Sequence, residues 1–211
     1  METLAVVTRS GYVESIHKGY ISVVDSDNNI IYEKGNTNMK IFFRSAAKPI
    51  QIIPFIQSGG ARATGYSLKE IAIGCASHTG QLEHQKTVEG ILKRLNLEKS
   101  DLHCGVMSPY NEEEKRRLLS SDNYHIRSSS LKYLGKDISH YEDPSHPVQQ
   151  KILKTISEFT DEKVDLIPVG TDGCGVPICM LPINKMALAY ARLAGYAQDR
   201  DSIYHETCKT I

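Results

Sequence analysis

The sequence predicts a mixed α/β domain of the α+β kind, an antiparallel sheet flanked by helices, on three observations. Four short stretches near the start are rich in β-branched and aromatic residues and are separated by polar turns. The run Ile50 to Ile56 that follows Phe43 carries almost no polar side chain, which marks an interior helix. Further on, His84 to Leu95 carries Val88, Ile91, Leu92 and Leu95 at helical spacing, and a second helix follows a proline turn at Val148. With 211 residues, 40% of them hydrophobic, the chain suits one domain spanning 1–211.

In chain order, Leu4 to Thr8, Tyr12 to Ile16, Tyr20 to Asp25 and Ile30 to Lys34 read as the strands of an antiparallel meander. Asp25-Ser26-Asp27-Asn28-Asn29 is a hairpin turn signal between the last two. The meander feeds a helix that starts near Ser45. Pro49 and Pro54 predict that this helix starts late or kinks, because proline is comfortable only in a first turn. Ser58-Gly59-Gly60 ends it. Ser67-Leu68-Lys69-Glu70 is a capping box opening a short helix that runs into Cys75-Ala76-Ser77-His78-Thr79-Gly80. Glu112 to Leu119 reads as a charged helix, and Ser120 to Ser130 is polar. Asp143-Pro144-Ser145-His146-Pro147 is a turn leading into a helix from Val148 to about Phe159. Val164 to Val169 reads as a strand that delivers a glycine-rich loop, Gly170 to Pro177. Asn184 to Leu193 reads as a helix ending at Gly195, and another begins at Ser202.

Lysine plus arginine and aspartate plus glutamate are both 25, so no overall field draws nucleic acid or an anionic membrane. No apolar run is long enough to span a bilayer. The start shows no secretory signal, and a cytoplasmic location is expected. Five cysteines without zinc-ribbon spacing predict reduced thiols.

Ser45 and Lys48 are three residues apart, which on a helix sets their Cβ atoms about 5–6 Å apart on one face. A serine hydroxyl needs a base to become a nucleophile, and a lysine can be that base when burial lowers its pKa. The structural alternative is a helix N-cap with a lysine one turn on. The same spacing at Ser15/Lys18 falls in a strand-like stretch, and at Ser129/Lys132 in a polar one. Ser77-His78 reads either as a second nucleophile with a proton carrier or as a helix-end cap. Asp172 reads as a group that positions a lysine or binds a substrate amine, or as a turn residue making an Asx bond. Cys174 reads as a metal ligand or a small buried hydrophobe.

These segments occur together and in order. Val7-Thr8-Arg9-Ser10-Gly11, Val13-Glu14-Ser15-Ile16-His17-Lys18-Gly19, Phe43-Arg44-Ser45-Ala46-Ala47-Lys48-Pro49, Cys75-Ala76-Ser77-His78-Thr79-Gly80, Asp143-Pro144-Ser145-His146-Pro147 and Asp172-Gly173-Cys174-Gly175-Val176-Pro177 resemble the thermolabile, Rhizobium-type L-asparaginase family (asparaginase II). The resemblance implies a fold like the serine β-lactamases and glutaminases. It also implies hydrolysis of L-asparagine to L-aspartate and ammonia. Ser45 and Lys48 match one of the family's serine–lysine pairs, and Ser77 matches the serine of the other. Arg44, His78 and Asp172 match positions expected to shape the substrate site. Cys174 matches a zinc ligand.

Two departures accompany the match. Between Ile126 and Leu134 the family's Asn-Asn-Cys-Ser-Gly-Lys-His segment, with the other zinc-site residues, is replaced by Arg127-Ser128-Ser129-Ser130-Leu131-Lys132-Tyr133, so no zinc cofactor is expected to assemble. The family also continues, through a Gly-Lys-Gly-Gly segment and the last strands of the sheet, beyond Ile211. The expectation is therefore an internally deleted, C-terminally truncated relative whose open sheet edge a homodimer could cover. Its expected partner is a small-molecule amide, L-asparagine. The alternatives are an inactive remnant that binds a ligand or partner, and a glutaminase-like serine amidase.

Overall fold

The computed structural model describes residues 1–104 and 139–211, with Glu113 and Arg116 between them. The predicted helix at Glu112–Leu119 and the stretch Arg127–Tyr133 lie outside the described residues, those two positions apart. Strands β1 (Glu2–Arg9) and β2 (Tyr12–Gly19) form one antiparallel hairpin, and β3 (Ile21–Val24) and β4 (Ile30–Lys34) form another. Ser10 and Gly11 turn the first with positive φ. In the second, the Asp25 carboxylate accepts the Asp27 and Asn29 backbone N–H groups, as an Asx turn does.

The sheet that matters for the candidate site is a third one, of order β5-β7-β6, built from β5 (Lys40–Phe42), β6 (Val169–Thr171) and β7 (Pro177–Pro182). Ile41 pairs with Leu181 and Gly170 with Ile178. Gly170 packs closely here, since a Cβ there would stand 3.1 Å from the Phe42 ring, which would have to give by a few tenths of an ångström. The meander is thus two hairpins, and the sheet leading into Ser45 recruits strands from residue 169 onward. The predicted strand at Val164 to Val169 is instead a 3-10 turn over Val164–Leu166. Pro168 has no N–H to give a ladder, so β6 starts only at Val169.

The apolar run after Phe43 is helical and broken where the prolines require. A 3-10 turn spans Arg44–Ala47, followed by α1 (Lys48–Gln51) and α2 (Ile53–Gln57). Pro49 and Pro54 each sit in the first turn of their helix, and Ile52 is the joint. Gly59, at φ 77°, closes α2 and opens α3 (Gly60–Ala63). The helix α4 (Leu68–Cys75) carries the predicted capping box, with Glu70 N–H donating to Ser67 Oγ and Ser67 N–H donating to the Glu70 carboxylate at 2.8 Å. Beyond it come α5 (Leu82–Arg94), α6 (Pro147–Thr160), α7 (Ile183–Gln198) and α8 (His205–Thr210). Helix α7 does not end at Gly195. That residue lies inside it, packed beside Ser26. The last helix starts at His205, three residues later than its sequence signal.

Phe43, Ala47, Ile50 and Ile53 pack with Ile156 and Phe159 of α6, Cys179 and Leu181 of β7, Ala189 of α7 and Cys208 of α8 to form the main core. A side chain of this kind contributes about 1.5–3 kcal/mol when fully buried. The segment bearing Ser45 is therefore anchored on four elements. A smaller cluster, Ile73, Val88, Ile91, Leu92 and Leu97, ties α4 to α5.

Candidate active site

The 3-10 turn begins under strain. Arg44 has φ 51°, a left-handed conformation unusual for a residue with a side chain. The preceding Phe43 N–H donates to the Cys179 carbonyl of β7 at 2.9 Å, which sets where the turn leaves the sheet. The Arg44 guanidinium lies 3.7 Å from the Asp172 carboxylate on the β6–β7 loop. That loop is closed by bonds from Asp172 N–H to the Val176 carbonyl and from Gly175 N–H to the Asp172 carbonyl, both 2.9 Å. Asp172 is a turn residue through its backbone and faces Arg44 through its side chain.

Ser45 is exposed on the turn and is not a helix cap, since Ala47 is the N-cap of α1 and the cap makes no side-chain bond. Lys48 opens α1 and is half-buried. Its Nζ reaches across to the end of α4, donating to the Ala76 carbonyl at 3.0 Å and to Ser77 Oγ at 3.3 Å. Ser77 lies just past the Ala76 C-cap of α4. The two serine-bearing segments, 29 residues apart at this contact, thus meet through one lysine.

His78 Nε2 donates to the Ile73 carbonyl at 2.6 Å, and its ring faces His84 at 5.3 Å between centroids. It satisfies a carbonyl in the last turn of α4, a role suited to a histidine there. A groove lined by Lys69, Leu82, Glu83, Lys86 and Thr87 involves none of the predicted site residues. One residue that sequence reasoning missed is Tyr190 of α7, whose Oη donates to the Ala46 carbonyl at 2.7 Å. The signal for it was Pro49, which removes the N–H that would otherwise serve that turn.

The fold and these contacts define an α+β protein in which one lysine reaches from the Ser45 turn to the Ser77 hydroxyl, with an arginine–aspartate pair at the start of that turn. Its family follows from the sequence. The L-asparaginase II family matches residues 5–211, and the chain belongs to that family. Membership supports an asparaginase-like function at the family level. No match is found among curated proteins. No helix among the described residues is long and apolar enough to cross a membrane.

The family resemblance implies zinc. Cys174 Sγ sits 3.8 Å from Asp172 Oδ2, yet no group of three or more histidine, cysteine, aspartate or glutamate side chains among the described residues is placed to hold a metal ion. Zinc asks for four ligands, three of them protein groups even in catalytic sites. Cys179 and Cys208 are core thiols whose burial pushes them up to about 11, far from thiolate character. The described residues do not fit the ion.

Proposed function

We propose that the chain is an L-asparaginase-like amidohydrolase that converts L-asparagine to L-aspartate and ammonia, with Ser45 as nucleophile, Lys48 as base and Ser77 as proton relay. The proposal includes a serine β-lactamase-like arrangement of residues 1–211 as one domain. The observation that carries it is the Lys48 amine, from the first residue of α1, seated at the end of α4 with Ser77 Oγ 3.3 Å away.

In this reading neutral Lys48 takes the Ser45 proton as Oγ bonds to the carboxamide carbon, and the carbonyl electrons move to oxygen. The oxyanion collapses and the C–N bond breaks. The leaving amine takes the proton back from Lys48 through Ser77 and departs as ammonia. Water then attacks the acyl ester, Lys48 again taking a proton; the ester C–O bond breaks, aspartate leaves, and Lys48 returns the proton to Ser45 Oγ. The Arg44–Asp172 pair offers a cation for the substrate's α-carboxylate and an anion for its α-ammonium. The same 3.3 Å contact favours a second reading in which Ser77 is the nucleophile and Ser45 the relay.

Ammonia release from L-asparagine and L-glutamine by the purified chain tests the reaction. Asparagine turnover is expected, and Lys48→Met should lower kcat by roughly 10²–10⁴-fold. Preference for glutamine would move the chain to the glutaminase-like reading, and no turnover of either amide would leave a ligand-binding relative. Trapping the acyl ester and locating it by mass spectrometry separates Ser45 from Ser77.

A further inference from the structure

In a 3-10 turn each carbonyl is served by the N–H three residues on. The Lys48 N–H serves Ser45 in this way. The Ala46 carbonyl looks by the same rule to residue 49, a proline with no N–H. The Tyr190 hydroxyl, delivered from α7 of the neighbouring layer, donates to that carbonyl at 2.7 Å. The Tyr190 ring also meets Phe43 edge-on with centroids 6.5 Å apart, at the residue that enters the turn. Phe43 is in turn bonded to β7. The turn bearing Ser45 is held at its entry by the sheet and in its middle by this one hydroxyl.

We infer that Tyr190 is a positioning residue that locks the Ser45 turn in its reactive placement by supplying the donor Pro49 removes. The inference rests on the reading of Ser45 as a nucleophile. Burial, with the Cys75 thiol nearby, raises the Tyr190 phenol above its ordinary range, so the hydroxyl keeps the proton it donates.

The test uses the whole chain and Tyr190→Phe, which keeps the ring and removes the donor. Two quantities are read: phosphonylation of Ser45 by an alkyl fluorophosphonate, in which Oγ displaces fluoride from phosphorus, and amide hydrogen exchange over Ser45–Lys48. Tyr190→Phe should slow Ser45 labelling by roughly 10-fold or more and speed exchange at the turn, while Tyr196→Phe on the same helix changes neither. Adding Pro49→Ala restores an N–H at residue 49 and should recover labelling. Unchanged labelling and exchange in Tyr190→Phe, or no recovery in the double variant, overturns the lock and leaves the nucleophile assignment standing. Faster exchange in Tyr190→Phe with no labelling of Ser45 even in the unsubstituted chain shows that the nucleophile assignment has failed, and the positioning role with it.

Discussion

Arg44 stands at a left-handed φ of 51°, where a side chain costs about 1–2 kcal/mol. Its neighbours hold it there, since Phe43 is bonded to β7 on one side and Tyr190 holds Ala46 on the other. The ion pair with Asp172 returns little, because the Arg44 side chain is 73% exposed and such pairs are worth about 0–1 kcal/mol. The geometry therefore costs stability and aims a cation at the loop carrying Asp172 and Cys174. Arg44→Gly relieves the backbone and removes the cation. Thermal melts should show a Tm unchanged or slightly higher, while KM for the amide rises with a smaller change in kcat. A loss of more than about 1 kcal/mol of stability would mean that the guanidinium, not the backbone, dominates the energetics of this position.

Ser77 is only as well placed as α4, and α4 is held at its start by one carboxylate. Glu70 accepts from the Ser67 backbone N–H, from the Ser67 hydroxyl and from Arg94 of α5 at 2.6 Å. Burial alone would raise this carboxyl, but the Ser67 N–H and the Arg94 guanidinium outweigh it and leave it below its ordinary 4.5. A carboxyl lowered by folding contributes stability that is present above the unfolded value and lost as pH falls through the folded one. Acid should therefore destabilise the chain below the ordinary carboxylate range, and Glu70→Gln should flatten that part of the pH profile of denaturant midpoints. An unchanged slope would assign the acid sensitivity to other groups. This element was legible beforehand because its signals are local: serine with glutamate three residues on, and prolines that reset a helix at Lys48 and Ile53. Strands β5 and β7 were not. Lys40-Ile41-Phe42 is short, β7 is bracketed by Pro177 and Pro182, and their pairing joins residues more than a hundred positions apart. The Lys48–Ser77 contact was hidden for the same reason: Ser45 and Lys48 share a local period, and Ser77 reaches Lys48 only through tertiary packing.

Across the whole molecule the apolar side chains are unevenly used. Ile50, Ile53, Ile156, Phe159 and Leu181 are fully buried around the segment that bears Ser45 and Lys48, whereas Val13 and Ile16 of the first hairpin are 61% and 53% exposed. Removing methyl groups from the first set leaves cavities that the surrounding α1, α6 and β7 cannot fill. Removing them from the second exposes little that water does not already reach. Ile156→Ala and Leu181→Ala should each cost about 2–5 kcal/mol, and they should lower labelling at Ser45 as the core loosens. Val13→Thr and Ile16→Thr should stay within about 0.5 kcal/mol and leave labelling unchanged. Denaturant unfolding of the four variants, followed by far-ultraviolet circular dichroism, measures the contrast. If the hairpin substitutions cost as much as the core ones, the first hairpin is part of the cooperative unit that positions the serines, and the two sets of side chains are not energetically separate.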